Sequence, residues 1–226
     1  MEVIAEQLQS LLENDVLELR GDGRAGSGLV LTMQSVAAVA VLDPTLHVQE
    51  WPFFSSARKG APTRSFLRIG RKPILKASDI TAPHISIMMD EGVSAMVDFA
   101  QGVKRGGIFV LNSTRSPEEA AKKFKLSGRV YTIDGDKISE AFLKKPLGNI
   151  SVFALLMEIL PGFEPAVALK RLAELLKKRR LPESLIQANC KLFEASLGKA
   201  RFVDADYATL ADHAVMPFGG WGELMP

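Results

Sequence analysis

A single cysteine, Cys190, stands in 226 residues, which excludes a disulfide framework and any self-contained four-cysteine cluster. Histidine is nearly as scarce. His47, His84 and His213 lack the paired spacing of a zinc site, and His47 and His84 read as structural side chains. A surplus of charge is also missing: 28 basic against 26 acidic side chains leave a formal net charge of +2. That balance argues against a general nucleic-acid or membrane surface, so any electrostatic function is local. No apolar run approaches the roughly 20 residues that cross a bilayer, and Glu2 and Glu6 stand where a secretory signal carries positive charge. The expectation is a cytoplasmic chain with no nucleic-acid and no membrane partner.

What is present is enough apolar side chain, 47% of the residues, to bury a sizeable core. Ile4, Leu8, Leu11 and Leu12 recur at helical spacing, and residues 16–19 then read as a short strand. After a glycine-rich loop over 21–28, residues 29–42 form a nearly uncharged stretch of the length of a buried helix. Short apolar runs at 65–69, 85–89, 108–111 and 130–133 suit buried strands, with helices expected over 93–103 and 117–124 between them. Asp134-Gly135-Asp136 ends the last of these strands and can cap a helix starting near Lys137. Helical patterns then occupy 150–160, 165–180 and 182–197. The alternation predicts an α/β fold: a mostly parallel sheet flanked by helices, with a helical C-terminal part. One domain is expected over 1–203, followed by an extended arm over 204–226. That arm carries Met216, Phe218, Trp221, Leu224 and Met225 without usable period, which marks it as a contact for partner subunits.

Two segments carry candidate chemistry. Gly21-x-Gly23-x-x-Gly26, followed by Ser27 and Gly28, lies between a strand and a helix, the context in which backbone N–H groups and a helix N-terminus meet an anion. A plain tight turn also needs glycines, and that alternative stands beside phosphate binding. A nicotinamide fingerprint is disfavoured, because Asp43 follows a helical segment and precedes Pro44. The second segment, Arg58 to Ile69, places Arg58, Lys59, Arg64 and Arg68 around a turn stiffened by Gly60 and Pro62. Singly these cations read as surface charges; together they suit a phosphate-bearing partner.

These segments, with Lys72-Pro73-Ile74, the run from Gly106 to Asn112, Tyr131-Thr132-Ile133-Asp134 and Pro146-Leu147-Gly148-Asn149, occur in an order that resembles the gamma subunit or domain of the 2-oxoacid:acceptor oxidoreductases of pyruvate:ferredoxin type. The resemblance covers about residues 16–198. It departs from the family where a glycine–glutamine pair before the last loop glycine is replaced by Arg24-Ala25. It implies an accessory chain of a complex that oxidatively decarboxylates a 2-oxoacid to its acyl-coenzyme A and passes electrons to ferredoxin or a similar acceptor. Coenzyme A is the ligand implied at this chain, with thiamine diphosphate and iron–sulfur clusters on catalytic and ferredoxin-like partner subunits. The implied contacts are Gly21, Gly23, Gly26, Ser27, Gly28, Arg58, Lys59, Gly60 and Arg64, with Asn112 and Asn149 in the same cleft or at an interface. No residue of this chain is expected to be catalytic or to bind metal, and the isolated chain is expected to be inactive. Two other readings stay open: a purely structural assembly subunit, and a free-standing nucleotide-binding enzyme.

Overall fold

The computed structural model describes residues 2–54 and 60–205. Its central strand, β1 (Val16–Arg24), is longer than its apolar run. Leu17, Leu19, Gly21 and Gly23 alternate with Glu18, Arg20, Asp22 and Arg24, a two-residue period that sends the two sets to opposite faces of a sheet. Gly21 and Gly23 therefore belong to the strand, and the loop proper is only 25–28.

Around β1 the described residues build a seven-stranded sheet in the order β2-β3-β1-β4-β5-β6-β7, with β2 His47–Phe54, β3 Pro62–Gly70, β4 Ile85–Met88, β5 Ile108–Asn112, β6 Gly128–Ile133 and β7 Arg201–Ala205. Strands β1, β4, β5 and β6 are mutually parallel. Both β1 and β2 oppose β3, and β7 opposes β6, so five of the seven strands share one direction. The mostly parallel α/β expectation holds.

One face of the sheet is covered by helices: α1 (Glu2–Asn14), α2 (Leu29–Ala40), α5 (Asn149–Ile159), α6 (Pro165–Lys178) and α7 (Glu183–Ser196), with α4 (Gly135–Leu143) packed on α5 and α7. Leu17, Leu19, Leu67, Ile69, Ile85, Ile87 and Val110 meet this layer in one continuous core. Helix α5 is buried nearly all round, as its mostly apolar sequence requires. On the other face, α3 (Pro117–Phe124) starts with a capping box between Ser116 and Glu119 and has Pro117 in its first turn, local signals that fix its boundary.

That second face is unusual under β1 to β3. Glu18, Arg20, Asp22, Arg64 and Arg68 are all less than a tenth exposed, and irregular chain covers them. Arg68 donates to Glu18 at 3.0 Å and to the carbonyls of Lys76 and Ser78 at 3.2 and 2.7 Å, while its guanidinium lies 5.0 Å from the Trp51 ring. Arg64 donates to Asp22 at 2.7 Å, and Arg20 to the carbonyls of Phe99 and Gln101 at 2.9 and 2.7 Å. Burial pulls the Arg20 guanidinium below its ordinary pKa, opposed by the neighbouring Asp22 carboxylate. The expected helix over 93–103 is reduced to one 3₁₀ turn, Glu91–Ala95, for the same reason. The carbonyl of Phe99 is taken by Arg20 and by Ser86 Oγ, the latter at 2.6 Å, and Gly102 turns at φ +72 against Thr81.

Two strands lack a strong sequence signal. β2 is an edge strand interrupted by Pro52, a residue that edges tolerate. β7 is held by Arg129, which bonds Asp204 through two contacts of 2.6 Å and stacks on Phe202 at 4.8 Å. Asp204 and Ala205 are thus part of the sheet, inside the segment expected to be arm, and residues 206–226 lie outside the described residues.

His84 is a structural histidine. Its Nδ1 accepts from the Glu18 N–H at 3.0 Å and its Nε2 lies 2.8 Å from Lys104 Nζ. Burial first, and the Lys104 ammonium second, pull its pKa from 6.5 to about 4. The unfolded chain takes this proton before the folded one, so the stabilisation is complete above pH 6.5 and is lost as pH falls towards 4. Urea midpoints measured across that window should fall with decreasing pH, and the fall should be shallower in His84→Gln. A second expectation concerns the arginine stripe: Asp22→Ala strips the carboxylate from buried Arg20 and Arg64 and should cost about 3–5 kcal/mol in denaturant unfolding.

Candidate functional site

The carboxyl ends of β1, β4, β5 and β6 open into a crevice, the usual place for a ligand in an open parallel sheet. It consists of two adjoining pockets. One, of about 300 Å3, lies between the 24–27 segment, Gly60, Asp90, Asp136 and the turn 146–148. The other, of about 280 Å3, is bounded by Arg24, Asp90, Glu91, the 112–114 segment, Asp134 and Asp136. Arg24, Asp90 and Asp136 border both.

The first pocket is built by close approach. A Cβ on Gly21 would stand 2.4 Å from Leu29 Cδ1, one on Gly23 2.7 Å from Ser27 Oγ, and one on Gly28 2.6 Å from Asn149 Cβ. The glycines let the first turn of α2 press onto the end of β1 and bring the starts of α2 and α5 into contact. Gly28, at φ +80, is the N-cap of α2, and Gly148 is the N-cap of α5; neither helix has a side-chain cap. Their first-turn N–H groups therefore have no side-chain cap as acceptor. Beside them, Ser27 Oγ and Asn149 Oδ1 are buried without a hydrogen-bond partner; Asn149 as a whole is 1% exposed. Unsatisfied buried polar atoms of this kind are uncommon and mark a place where a ligand can contribute bonds.

The acids of the crevice are already engaged. Asp136 Oδ1 accepts from the Gly148 N–H at 2.8 Å and from Asn112 Nδ2 at 3.0 Å, and Asp134 caps α4 through the Lys137 N–H at 3.1 Å. Although burial opposes it, hydrogen bonds from Lys123 and Ser113 hold Glu91 below the usual carboxylate range. Asp90 caps the 3₁₀ turn through the Gly92 N–H at 2.7 Å and pairs with Arg24, whose Nε lies 2.7 Å from Oδ2. Among the described residues, no group of three or more His, Cys, Asp or Glu side chains is arranged to hold a metal ion. No described helix is long and apolar enough to cross a membrane.

The residues singled out in the sequence divide accordingly. Ser27, Gly26 and Gly60 border the first pocket, and the Ala25 N–H to Ala61 carbonyl bond of 2.8 Å joins the glycine loop to the start of β3. Gly21, Gly23 and Gly28 shape that pocket by packing. Asn112 borders the second pocket and works as a tie: its Nδ2 donates to the Met89 carbonyl at 3.1 Å and its Oδ1 accepts from the Gly135 N–H at 3.0 Å. Arg64 stands apart. It lies within β3, 8% exposed and bonded to Asp22, so its charge is committed to the sheet and not to the crevice. Arg58 and Lys59 lie outside the described residues. Sequence reasoning passed over Arg24, Asp90 and Asp136 as site residues, although each stands at or just beyond the carboxyl end of a strand, where the fold class itself directs attention.

The profile of the family described as Pyruvate ferredoxin/flavodoxin oxidoreductase matches residues 18–198. The "Pyruvate/ketoisovalerate oxidoreductases common subunit gamma" of Thermococcus kodakarensis is 34% identical over 138 residues, 61% of this chain and 74% of that protein. The "Pyruvate synthase subunit PorC" of Thermotoga maritima is 28% identical over 172 residues, 76% of this chain and 88% of that one. The crystal structure of the pyruvate oxidoreductase subunit PORC of Thermotoga maritima superposes with a TM-score of 0.67 at 26% identity, covering 83% of this chain and 98% of that chain. A 2-oxoglutarate:ferredoxin oxidoreductase of Magnetococcus marinus shares the fold, with a TM-score of 0.58 at 18% identity, over 80% of this chain and 30% of that longer one. With four-fifths of its length inside the family match and gamma subunits among its relatives, the chain belongs to the pyruvate ferredoxin/flavodoxin oxidoreductase family, as one of its gamma-type members.

Proposed function

We propose that this chain is the gamma subunit of a cytoplasmic, multi-subunit 2-oxoacid oxidoreductase that oxidatively decarboxylates a 2-oxoacid to its acyl-coenzyme A and reduces ferredoxin or a similar acceptor. Its own contribution is coenzyme A binding and assembly. Thiamine diphosphate and the iron–sulfur clusters belong to catalytic and ferredoxin-like partner chains. The observation that carries the coenzyme A assignment is the meeting of α2 and α5 at the first pocket. Two helix starts without side-chain caps offer N–H groups and positive dipole ends to phosphate. The unpartnered Ser27 Oγ can donate to a phosphate oxygen, and Asn149 Oδ1 can accept from an amide N–H of the pantetheine arm. Coenzyme A supplies the thiol that accepts the acyl group, and this chain's residues bind and orient the remainder of that molecule.

A purely structural role is the second reading. It is favoured by one observation: Gly21, Gly23 and Gly28 are each explained by the side chains they admit, without a ligand.

Ala25 borders the first pocket beside Ser27, and Ala25→Trp fills that space. In the assembled complex this substitution should raise the KM for coenzyme A at least about tenfold, the equivalent of losing one charged hydrogen bond, and leave the KM for the 2-oxoacid in place. An unchanged coenzyme A KM selects the structural reading. Assembly is tested separately by deleting residues 206–226, which should weaken recovery of the complex in size-exclusion chromatography; full recovery shows that the segment is not a subunit contact.

A further inference from the structure

Among the described residues, Arg24 is the only basic side chain bordering either pocket of the crevice. It stands at the last position of β1, with its side chain 47% exposed, and is held by Asp90, itself 24% exposed. We propose that Arg24 is an exchangeable phosphate ligand and Asp90 its internal competitor: the carboxylate holds the guanidinium, and an entering phosphate takes it over. This rests on the coenzyme A reading above and adds to it the residue that meets the phosphate charge and the device that holds that residue ready.

The exchange follows from the unequal commitments of the two side chains. Asp90 keeps a second bond, from the Gly92 N–H to Oδ1 at 2.7 Å, so losing Arg24 does not orphan it and the 3₁₀ turn stays capped. Among the described residues Arg24 has no comparable second anchor in the crevice, and a partly exposed pair of this kind is weak. A phosphate at the start of α2 offers Arg24 a charge-assisted, two-pronged partner in addition to the helix N–H groups. The other acids of the crevice do not compete for Arg24. Asp136 is bonded to Gly148 and Asn112, and Glu91 to Ser113, Arg115 and Lys123.

The test is a double-mutant cycle in the assembled complex, read as the KM for coenzyme A with kcat and the 2-oxoacid KM as controls. Arg24→Gln should raise the coenzyme A KM about tenfold. Asp90→Asn should lower it about two- to fivefold, the worth of the released pair, and the double variant should match Arg24→Gln alone. Asp90→Ser, which retains an acceptor for the Gly92 N–H without the charge, should behave as Asp90→Asn and separates competition from loss of the turn. The proposal is overturned if both Asp90 variants raise the KM or leave it unchanged. It is equally overturned if they still lower it in the Arg24→Gln background, which would mean that Asp90 repels the ligand directly. Ala25→Trp distinguishes the two levels. An unchanged KM there removes the coenzyme A site and this proposal with it, whereas a raised KM with flat Asp90 variants leaves the site standing and removes only the exchange.

Discussion

The constraint on which the rest of this structure depends is the burial of three arginines beneath irregular chain. Arg20, Arg64 and Arg68 occupy the face of β1 and β3 that carries no helical layer, and two carboxylates, Glu18 and Asp22, are buried with them. A buried guanidinium is tolerable only when charge and donors are both matched. Here the matching groups include carbonyls of Lys76, Ser78, Phe99 and Gln101. Those carbonyls lie in irregular stretches outside any helix or strand, and such stretches need partners for their backbone groups as much as the arginines do. The stripe and its cover therefore satisfy much of each other, with Arg20 Nε and Asp22 Oδ2 left as an ion pair at 3.5 Å without a hydrogen bond, and the β3–β4 and β4–β5 connections are held without a second full helical layer.

The same strand that carries the stripe positions the crevice. Because β1 alternates charged and small residues, the face opposite the arginines at its carboxyl end is bare, and Leu29 and Ser27 press onto Gly21 and Gly23. That contact sets the height at which α2 begins. It also places Arg24 on the arginine side of the strand end, where Asp90 can reach it across the start of the 3₁₀ turn.

Much of the fold was legible from sequence because its parallel strands are short apolar runs and its later helices are amphipathic. The residues that misled are those whose bonds are made far away. Nothing near Phe99 announces that its carbonyl is claimed by Arg20, 79 positions earlier, so an apolar stretch over 93–103 reads as helix. Pro52 conceals an edge strand, and β7 is recognisable only once Arg129 and Asp204 are seen together, 75 positions apart. For the site, the glycine spacing pointed to the loop that borders the first pocket, but its meaning was mixed: Gly26 turns at φ +96 with open space around it, while Gly21, Gly23 and Gly28 are demanded by neighbours. The basic segment gave Arg64 as a phosphate ligand, and the structure spends that charge on Asp22. Among the described residues, the cation that borders the crevice, Arg24, was hidden inside the glycine motif, since its partner lies 66 positions on.

The two sides of the crevice also differ in stiffness, and that difference shapes what binding would cost. From Asn112 through Gly135, Gly148 and Asn149 to Gly28 runs a chain of contacts too tight for a Cβ: one on Gly135 would stand 2.9 Å from Asn112 Oδ1, one on Gly148 2.6 Å from the Asn112 amide, and one on Gly28 2.6 Å from Asn149. This chain joins β5, α4, α5 and α2 and fixes the two uncapped helix starts relative to each other. Under the proposed function, a phosphate there would meet N–H groups already held in place by this packing, which lowers a main cost of association. Arg24 is different, being half exposed and, among the described residues, held by Asp90 alone. On the proposed phosphate reading, a rigid amide cradle faced by one exchangeable cation would let the cradle select for phosphate geometry while the cation adjusts to where that phosphate settles. The sheet supplies both from adjacent positions of one strand end, because the two-residue period of β1 puts Gly23 on the cradle side and Arg24 on the other.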